Sequence, residues 1–352
     1  MSKDARLHWP AYQTSEIRAN WPLRIWVDTR NAIATYGAEH HRLRRVLAPF
    51  FTTRRIRALT PAIEHITSDL LDELEKHAPG PVDLRKQFAW RLPLSVINII
   101  LGLPEDMTDE LRRHVEAGMS THRSEAEAAE NARAYYALLN ELIGAKRARP
   151  GDDLTSQLVQ LHDAMPDQLS HQELLDSLML ITGAGHETTV DLLDQGVTNL
   201  LQHPAQLKKV LSGQASWEDA VEETLRHQPP GANVPLRYAV EEIHDEATGV
   251  TIPRGDAIVI NLAAVGRDPL IHRAPHVFDV TRATRSDHTS FGHGVHYCLG
   301  AQLARMEAHI ALSALFARFP GLAFADPATG PLPLESFICN GHRDLIVNLR
   351  QP

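Results

Sequence analysis

One helical pattern of more than thirty residues constrains the fold more than any other part of the chain: LSHQELLDSLMLITGAGHETTVDLLDQGVTNLLQH, residues 169–203. Apolar residues recur there at steps of three and four, which is the period of an α-helix. Helices of globular proteins average about 10–14 residues, so a helix of this length is unusual. Its apolar middle indicates a helix that crosses the centre of the protein.

The rest of the chain divides into helical and strand-like stretches. About residues 1–228 and 298–320 are predicted to be mainly helical, and about 229–297 and 321–352 to hold short strands and loops. The strand-like stretches show short alternating apolar runs between Gly, Pro and Asp, which is typical of strands and hairpins. No repeat or linker interrupts the chain. We therefore predict one domain over residues 1–352, mainly α with a small β region (α+β), around the long central helix.

The composition excludes several classes of protein. The net charge is −9 with both signs interleaved, whereas a general nucleic-acid binder needs a basic face. No apolar run approaches the ~20 residues that cross a bilayer, and the polar N-terminus lacks the apolar core of a signal peptide. Two cysteines, Cys298 and Cys339, make no disulfide framework, which favours a reducing compartment. We expect a cytoplasmic protein without nucleic-acid or membrane partners.

The stretch FGHGVHYCLG, residues 291–300, places Cys298 just before a predicted helix. A thiolate there is stabilised by the free N–H groups of the helix N-terminus, and the glycines let the backbone approach a flat ligand. The alternatives are a small buried apolar residue or a nucleophile with a histidine base. Zinc is disfavoured because His293, His296 and Cys298 lie too close together to complete a tetrahedron, and the CxxCH motif of covalent haem is absent.

The same ten residues resemble the haem signature Phe-x-x-Gly-x-x-x-Cys-x-Gly of the cytochrome P-450 monooxygenases, and the resemblance extends over the whole chain. It implies the cytochrome P-450 fold, haem b as cofactor and Cys298 as the metal ligand, whose thiolate favours O–O cleavage. The implied reaction inserts one oxygen atom of O2 into a hydrophobic organic substrate, by hydroxylation or epoxidation. Further haem-binding positions are implied at Phe291, Gly292, His296 and Gly300.

The segment AGHETT, residues 184–189, lies inside the long helix. Taken alone, its small residues indicate a packing notch, and a threonine in a helix often bonds back to the carbonyl four residues earlier. The segment also resembles the family pattern Ala/Gly-Gly-x-Asp/Glu-Thr. By that resemblance Ala184 and Gly185 leave room for O2. Thr188 would hydrogen-bond the activated oxygen, and Glu187 would relay protons from solvent by general acid catalysis.

Glu223 and Arg226 lie one helical turn apart. Exposed pairs with this spacing are common and contribute little to stability. The pair also resembles the ExxR motif of the P-450 family, whose partner is an arginine before the haem signature, here Arg282. The resemblance implies a buried triad that fixes the loop behind the haem.

Four residues match positions that meet the haem propionates in the family, whose burial requires cations. Arg237 lies in VPLRYA and His296 in the haem signature. His40 and Arg44 lie one turn apart in EHHRLRR, which resembles the family's EHTRLRR. The alternative for His40 and Arg44 is a solvated basic helix face.

The resemblance also indicates a substrate pocket of mostly apolar residues, and hence a hydrophobic substrate. The N-terminal stretches SKDARLHWPAY and NWPLRIW resemble actinomycete members that accept polyketide- or steroid-sized molecules. The implied pocket residues are Leu180, Ile181, Asn233, Val234, Leu236, Phe337 and Ile338.

The chain contains no nucleotide-binding fingerprint, so its electrons must come from another protein. The resemblance implies a ferredoxin-type donor served by an NAD(P)H-dependent reductase. Basic residues are candidates for its docking patch, and each is equally compatible with solvated surface. They are Arg45, Arg54, Arg55 and Arg305.

Family members usually carry about fifty more residues before the helix of His40 and Arg44 than this sequence shows. One alternative to a monooxygenase is therefore a catalytically impaired haem or hydrophobic-ligand binding protein. The pair of Glu187 and Thr188 favours the enzyme, since a binding protein would not need it. The same pair counts against a third hypothesis, a peroxide-driven haem-thiolate enzyme.

Overall fold

The computed structural model describes residues 1–14, 25–119 and 124–350; part of the N-terminal stretch used above, residues 15–24, lies outside them. The described helices, in chain order, are α1 (Ala5–His8), α2 (Pro10–Gln13), α3 (Ile25–Asp28), α4 (Gly37–Leu47), α5 (Thr53–Ala58), α6 (Thr60–Glu75), α7 (Arg91–Leu101), α8 (Thr108–Met119), α9 (Glu125–Ala148), α10 (Leu154–Ala164), α11 (His171–Gln202), α12 (Pro204–Leu211), α13 (Trp217–His227), α14 (Leu262–Val265) and α15 (Ala301–Arg318). Among them, none combines the length and the apolar character that crossing a membrane requires.

The described strands are short: β1 (Val82–Asp83), β2 (Asn233–Tyr238), β3 (Ile243–Asp245), β4 (Val250–Ile252), β5 (Ala257–Asn261), β6 (Ala323–Phe324) and β7 (Ile346–Asn348). They form a three-stranded sheet in the order β1-β7-β6 and two two-stranded sheets, β2-β5 and β3-β4. In the first sheet Val347 pairs with both Val82 and Phe324. The mainly α architecture with a small β region is as predicted.

The predicted long helix is confirmed as α11, which has 32 residues. A reciprocal pair of hydrogen bonds starts it. The hydroxyl of Ser170 accepts from the Glu173 backbone N–H at 3.3 Å, and the Glu173 carboxylate accepts from the Ser170 backbone N–H at 2.9 Å. This capping box satisfies two N–H groups that the first turn leaves unpaired.

The chain forms two compact units, each made of separate segments. The first comprises Met1–Phe50, Asn98–Gly183 and Val234–Ile260. In it α9 packs against α8 and α10. A small apolar cluster of Ala5, Tyr12, Val27 and Tyr238 ties the N-terminus to β2. Backbone hydrogen bonds of 2.8 Å in both directions between Ser2 and Tyr238 extend this link.

The second unit comprises Phe51–Ile97, Ala184–Asn233 and Asn261–Pro352, and α15 is at its core, packed against α6 and α13. The carboxyl half of α11 approaches α15 closely at Gly196, where an added Cβ would lie 2.9 Å from Cδ1 of Leu312. One polar residue of α15 is buried in this core: Glu307 is 2% exposed, and its Oε2 has no hydrogen-bond partner in the described part of the chain.

Two local elements differ from the sequence prediction. Residues Leu262–Val265, read as part of a strand region, form the helical turn α14. The Asn261 side chain explains the turn, because its oxygen accepts from the Ala264 backbone N–H at 2.7 Å as an N-cap. The strand β1 was not predicted, since its two residues are too short for a period-2 pattern and depend on pairing with β7.

Candidate active site

The loop before α15 is closed by its own backbone. The N–H of Cys298 donates to the carbonyl oxygen of Phe291 at 2.8 Å, and the N–H of Gly292 donates to that of Thr289 at 2.7 Å. Gly292 and Gly294 have φ of +74° and +68°, a left-handed conformation that residues with a Cβ rarely adopt. The loop therefore requires glycine at both positions, as the sequence indicated.

Cys298 lies two residues before Gly300, which is the N-cap of α15. The cysteine is an exposed thiol outside any disulfide, a position from which a thiolate can bind a ligand. Gly300 has a φ of −84°, which is open to any residue, so the backbone turn does not itself require glycine there. Its absent side chain instead keeps space beside the sulfur, since an added Cβ would lie 3.9 Å from Cys298 Sγ.

The loop of residues 291–300, called the cysteine loop from here on, is held to α13 by Glu222. The sequence did not predict this role for Glu222. Its carboxylate pairs with Arg305 Nε at 2.5 Å and with His288 Nε2 at 3.2 Å. Burial alone would raise the pKa of Glu222, but the hydrogen bonds from His288 and Arg305 lower it to about 2. Arg305 also lies over the ring of Phe291, 4.4 Å from its centroid. The structure therefore places Arg305, a candidate for partner docking, in an internal ion pair.

The three residues of the predicted triad lie together in the second unit. Glu223 and Arg226 are both 0% exposed and form a bidentate pair, with N–O distances of 2.8 and 2.7 Å. Arg282 Nε approaches the same carboxylate at 3.3 Å. The two guanidinium groups also donate to backbone carbonyls of residues 266–277, which satisfies further donors of a triad that carries one net positive charge.

This network shapes the segment before the cysteine loop. Arg226 donates to the carbonyls of Gly266 and Pro275, both at 2.8 Å. Gly266 must be glycine, because an added Cβ would lie 2.1 Å from the Arg226 carbonyl oxygen. Arg282 donates to the carbonyl of Ala274, a non-glycine residue with φ of +49°. The triad thus offsets an unfavourable backbone conformation at this position.

In the middle of α11, Ala184, Gly185 and Thr188 form an exposed strip between buried neighbours. The hydroxyl of Thr188 donates to the Ala184 carbonyl oxygen at 2.7 Å, so that carbonyl receives a second donor. Gly185 lies close to a neighbouring side chain, because an added Cβ would lie 3.1 Å from Cδ1 of Ile97, which is compatible with the packing notch.

The histidine of the same motif is not exposed to solvent. His186 is buried, and burial lowers its pKa to about 4, so the ring is neutral near pH 7. Its Nε2 lies 2.9 Å from the carbonyl oxygen of Trp90 and must carry the hydrogen, since a carbonyl only accepts. His186 therefore fixes the helix against Trp90, and Glu187 is the acid of the segment.

Glu187 belongs to a buried group of charges that the sequence did not reveal. Its Oε1 pairs with Nη2 of Arg85 at 2.7 Å, and Arg85 also contacts Asp191 and Asp194. His342 pairs with Asp194 at 2.8 Å. The acidic residues at 187, 191 and 194 share one helix face, a pattern that is visible in the sequence. Arg85 and His342 are distant in the chain and belong to no motif.

The predicted propionate partners His40, Arg44 and Arg237 lie in the first unit, and His296 lies in the second. His40 is 1% exposed, and its pKa is lowered by burial and by the nearby guanidinium of Arg44. Of these four residues, Arg237 gives the clearest indication of an anion-binding position. Burial lowers its pKa to about 10, and its Nη1 is buried without a hydrogen-bond partner among the described residues. A guanidinium with a buried nitrogen that lacks a partner fits an anion such as a haem propionate.

The predicted substrate-pocket residues fall into two groups. In the second unit the Asn233 side-chain amide donates to the Phe337 carbonyl oxygen at 2.7 Å, and Ala232 N–H donates to that of Ile338 at 2.8 Å. In the first unit Leu236 packs against the N-terminal apolar cluster. Leu180, Ile181 and Val234 are partly exposed residues of that unit.

The glycine-turned cysteine loop, the buried Glu-Arg-Arg triad and the acid–alcohol pair of the long helix are the features that resemble the haem-thiolate oxygenases, and the comparisons with known proteins agree with that class. The cytochrome P450 family model matches residues 217–328. The chain is 39% identical over 351 residues to 2-hydroxy-5-methyl-1-naphthoate 7-hydroxylase of Streptomyces carzinostaticus, covering 99% of this chain and 85% of that protein. It is 38% identical over 328 residues to 6-deoxyerythronolide B hydroxylase of Saccharopolyspora erythraea, covering 92% and 80%.

The solved structures agree with the sequence relatives. CYP154A1 from Streptomyces coelicolor A3(2) has 47% identity and a TM-score of 0.93, over 99% of this chain and 87% of that one. The chain therefore belongs to the cytochrome P450 family. It is a monooxygenase that uses haem b with thiolate ligation to the iron. Because the relatives are hydroxylases, the alternative of an impaired binding protein is not favoured.

Proposed function

We propose that the enzyme hydroxylates a hydrophobic polyketide- or steroid-sized molecule, and that Glu187 and Thr188 deliver the protons that the reaction consumes. The observation that carries this proposal is the exposed strip of Ala184, Gly185 and Thr188 beside the buried acid Glu187. The names of the relatives support the substrate class, since they specify a naphthoate and 6-deoxyerythronolide B. The apolar character of most pocket candidates points the same way.

Haem, when bound, supplies the chemistry of oxygen activation, and the Cys298 thiolate would hold its iron. Gly292 and Gly300 would keep the loop backbone close to the macrocycle, with Phe291 as its apolar cover. The Glu223 network would keep the loop in place, because it fixes the segment that leads into it. On the propionates, Arg237 would meet one carboxylate, and His296, His40 and Arg44 would contribute further donors.

Proton delivery would use two neighbouring side chains. Thr188 holds its hydroxyl hydrogen toward the Ala184 carbonyl, which leaves the hydroxyl oxygen as an acceptor on the exposed strip. Glu187 is buried behind that strip and oriented by Arg85. A proton on Glu187 would reach the strip by rotation of its carboxyl group, and Thr188 would pass it on.

We further propose that electrons arrive from a ferredoxin-type protein with an NAD(P)H-dependent reductase. Arg45 and Arg54 are exposed and Arg55 is partly exposed, so these three remain candidates for an acidic partner, whereas Arg305 pairs with Glu222. Both described cysteines are thiols, which supports a reducing cytoplasm as the place of action. Reduction by a ferredoxin that proves independent of salt would contradict electrostatic docking.

The absorption spectrum of the reduced, carbon-monoxide-bound protein tests the thiolate assignment. The wild type should show the Soret band of thiolate-ligated haem, and Cys298→His should move it to the position of histidine-ligated haem. A Cys339→Ser control keeps the ligand and should leave the band unchanged. Binding spectra with a naphthoic acid, a macrolactone and a steroid then test the substrate class. Failure of all three to displace water from the ferric haem would overturn it.

A further inference from the structure

Three acidic residues of α11, Glu187, Asp191 and Asp194, face one buried arginine. Their spacing of four and three residues puts them on one side of the helix. Arg85 approaches from the π-helical turn Arg85–Ala89, and His342 approaches from the segment before β7. All of these residues belong to the second unit.

The guanidinium of Arg85 does not bind the three acids equally. Its Nη2 donates to Glu187 at 2.7 Å and its Nη1 donates to Asp194 at 2.8 Å. Asp194 also accepts from the backbone N–H of His342 at 2.7 Å and pairs with its Nδ1 at 2.8 Å. Nη1 lies 2.8 Å from Asp191 as well, yet neither oxygen of Asp191 has an aligned hydrogen bond in the described part of the chain.

This arrangement carries too much negative charge to be stable without a proton. Three carboxylates against one guanidinium would leave a net charge of −2 if all were ionised, in a site where every acid is less than one-tenth exposed. Burial, and then the charge of Glu187, raise the pKa of Asp191 well above its usual range, although Arg85 opposes them. Glu187 and Asp194 accept aligned hydrogen bonds from Arg85, whereas Asp191 accepts none within the described part of the chain, so the proton belongs on Asp191.

Water is kept away from Asp191 by the backbone of Gly341. An added Cβ at Gly341 would lie 2.1 Å from Asp191 Oδ1 and 2.8 Å from Arg85 Nη1. The thiol of Cys339 also lies near Asp191, and its pKa is raised chiefly by burial, so it is neutral. The side chain of His342 is 12% exposed, more than those of Arg85 and the three acids. Solvent therefore reaches this group of residues most easily at His342.

We propose that Asp191 stores the proton that Glu187 delivers during oxygen activation, and that His342 and Asp194 restore it from solvent. Asp191 and Glu187 lie one turn apart on the same face of α11, so the proton would pass after the Asp191 side chain turns toward Glu187. The O–H bond of Asp191 then breaks as one forms on Glu187, and the negative charge moves from Glu187 to Asp191 without any redox change. Arg85 contacts both acids and stabilises either arrangement. Asp191 touches neither haem nor substrate and acts through Glu187, so it is a positioning residue. The inference rests on the proposed role of Glu187.

Infrared spectroscopy of the haem-loaded ferric protein at pH 7 tests where the proton lies. A protonated carboxyl group gives a C=O band that shifts in D2O. We expect one such band from Asp191 and a second from Glu307, whose burial raises its pKa to about 8. Asp191→Asn should remove the first and Glu307→Gln the second. If the wild type shows only one such band and Glu307→Gln removes it, Asp191 carries no proton and the proposal is overturned. This outcome can be read even if Asp191→Asn fails to fold.

A second experiment tests the proton transfer from Asp191 to Glu187. It measures the ratio of peroxide released to NAD(P)H oxidised when a heterologous ferredoxin and reductase supply the electrons. Asp191→Asn should keep normal haem content and raise this ratio several-fold. His342→Gln should keep the Asp191 infrared band, raise the ratio, and flatten its pH dependence. If Glu187→Gln raises the ratio and Asp191→Asn does not, proton storage on Asp191 is refuted while the proposed role of Glu187 stands. If Glu187→Gln has no effect either, the proposed role of Glu187 fails with it.

Discussion

Glu307 should make the stability of this protein depend strongly on pH. The residue lies on α15 in the core of the second unit, 2% exposed. Burial raises its pKa from 4.5 to about 8. Between these two values the folded protein binds a proton that the unfolded chain has released, so stability falls as the pH rises. Glu307→Gln keeps the shape of the side chain and removes the titration.

The size of the effect follows from the two pKa values. One pKa unit corresponds to about 1.4 kcal/mol, so the shift from 4.5 to about 8 gives a cost of about 5 kcal/mol well above pH 8. At pH 8 the cost is about 4 kcal/mol and at pH 5 about 1 kcal/mol. The free energy of unfolding of Glu307→Gln relative to wild type should therefore increase by about 3 kcal/mol between pH 5 and pH 8.

Urea unfolding of the haem-loaded proteins at both pH values, followed by circular dichroism, measures this difference. All groups that the two proteins share cancel in the comparison. The variant Glu246→Gln removes a carboxylate from an exposed position and serves as the control for net charge. A Glu307→Gln difference that stays constant within about 1 kcal/mol from pH 5 to pH 8 would show that Glu307 is ionised, and the reasoning from burial would be wrong.

Three further predictions concern the loop, the helix and the propionates. Arg226→Met leaves the buried Glu223 with one partner fewer, so it should destabilise the protein by about 3–5 kcal/mol and abolish haem incorporation; unchanged haem content and urea midpoint would contradict this. Thr188→Ala should keep the carbon-monoxide spectrum and release more peroxide per NAD(P)H; unchanged coupling would refute its role. Arg237→Met removes a buried, unsatisfied cation, so it should lose haem faster to an excess acceptor without lowering apoprotein stability; unchanged haem loss would exclude a propionate contact.

The sequence predicts the elements whose signals are local. The long helix, Gly292 and Gly294 follow from periodicity and from the conformational freedom of glycine, and Glu223 with Arg226 follows from helical spacing. Those features need only neighbouring residues, so the structure could be anticipated there.

The Arg85 network could not be predicted in the same way. Arg85 is separated from Glu187 by 102 positions and His342 from Asp194 by 148, and neither residue lies in a recognisable pattern. Only the spacing of the three acids, which puts them on one face of the helix, gave a signal, because buried acids need a cation. The partner of Arg305 was missed for a similar reason, since Glu222 adjoins the ExxR motif without belonging to it.

The neighbouring residues Glu222 and Glu223 point in different directions from α13, since consecutive helical residues do not share a face. Glu223 holds the segment around Val277 and Arg282, and Glu222 holds His288 and Arg305 on either side of the cysteine loop. One helix thus carries both attachments. In hydrogen exchange, α13, the 266–282 segment and the cysteine loop should open together as one cooperative unit, so that the loop cannot loosen on its own while the rest stays folded.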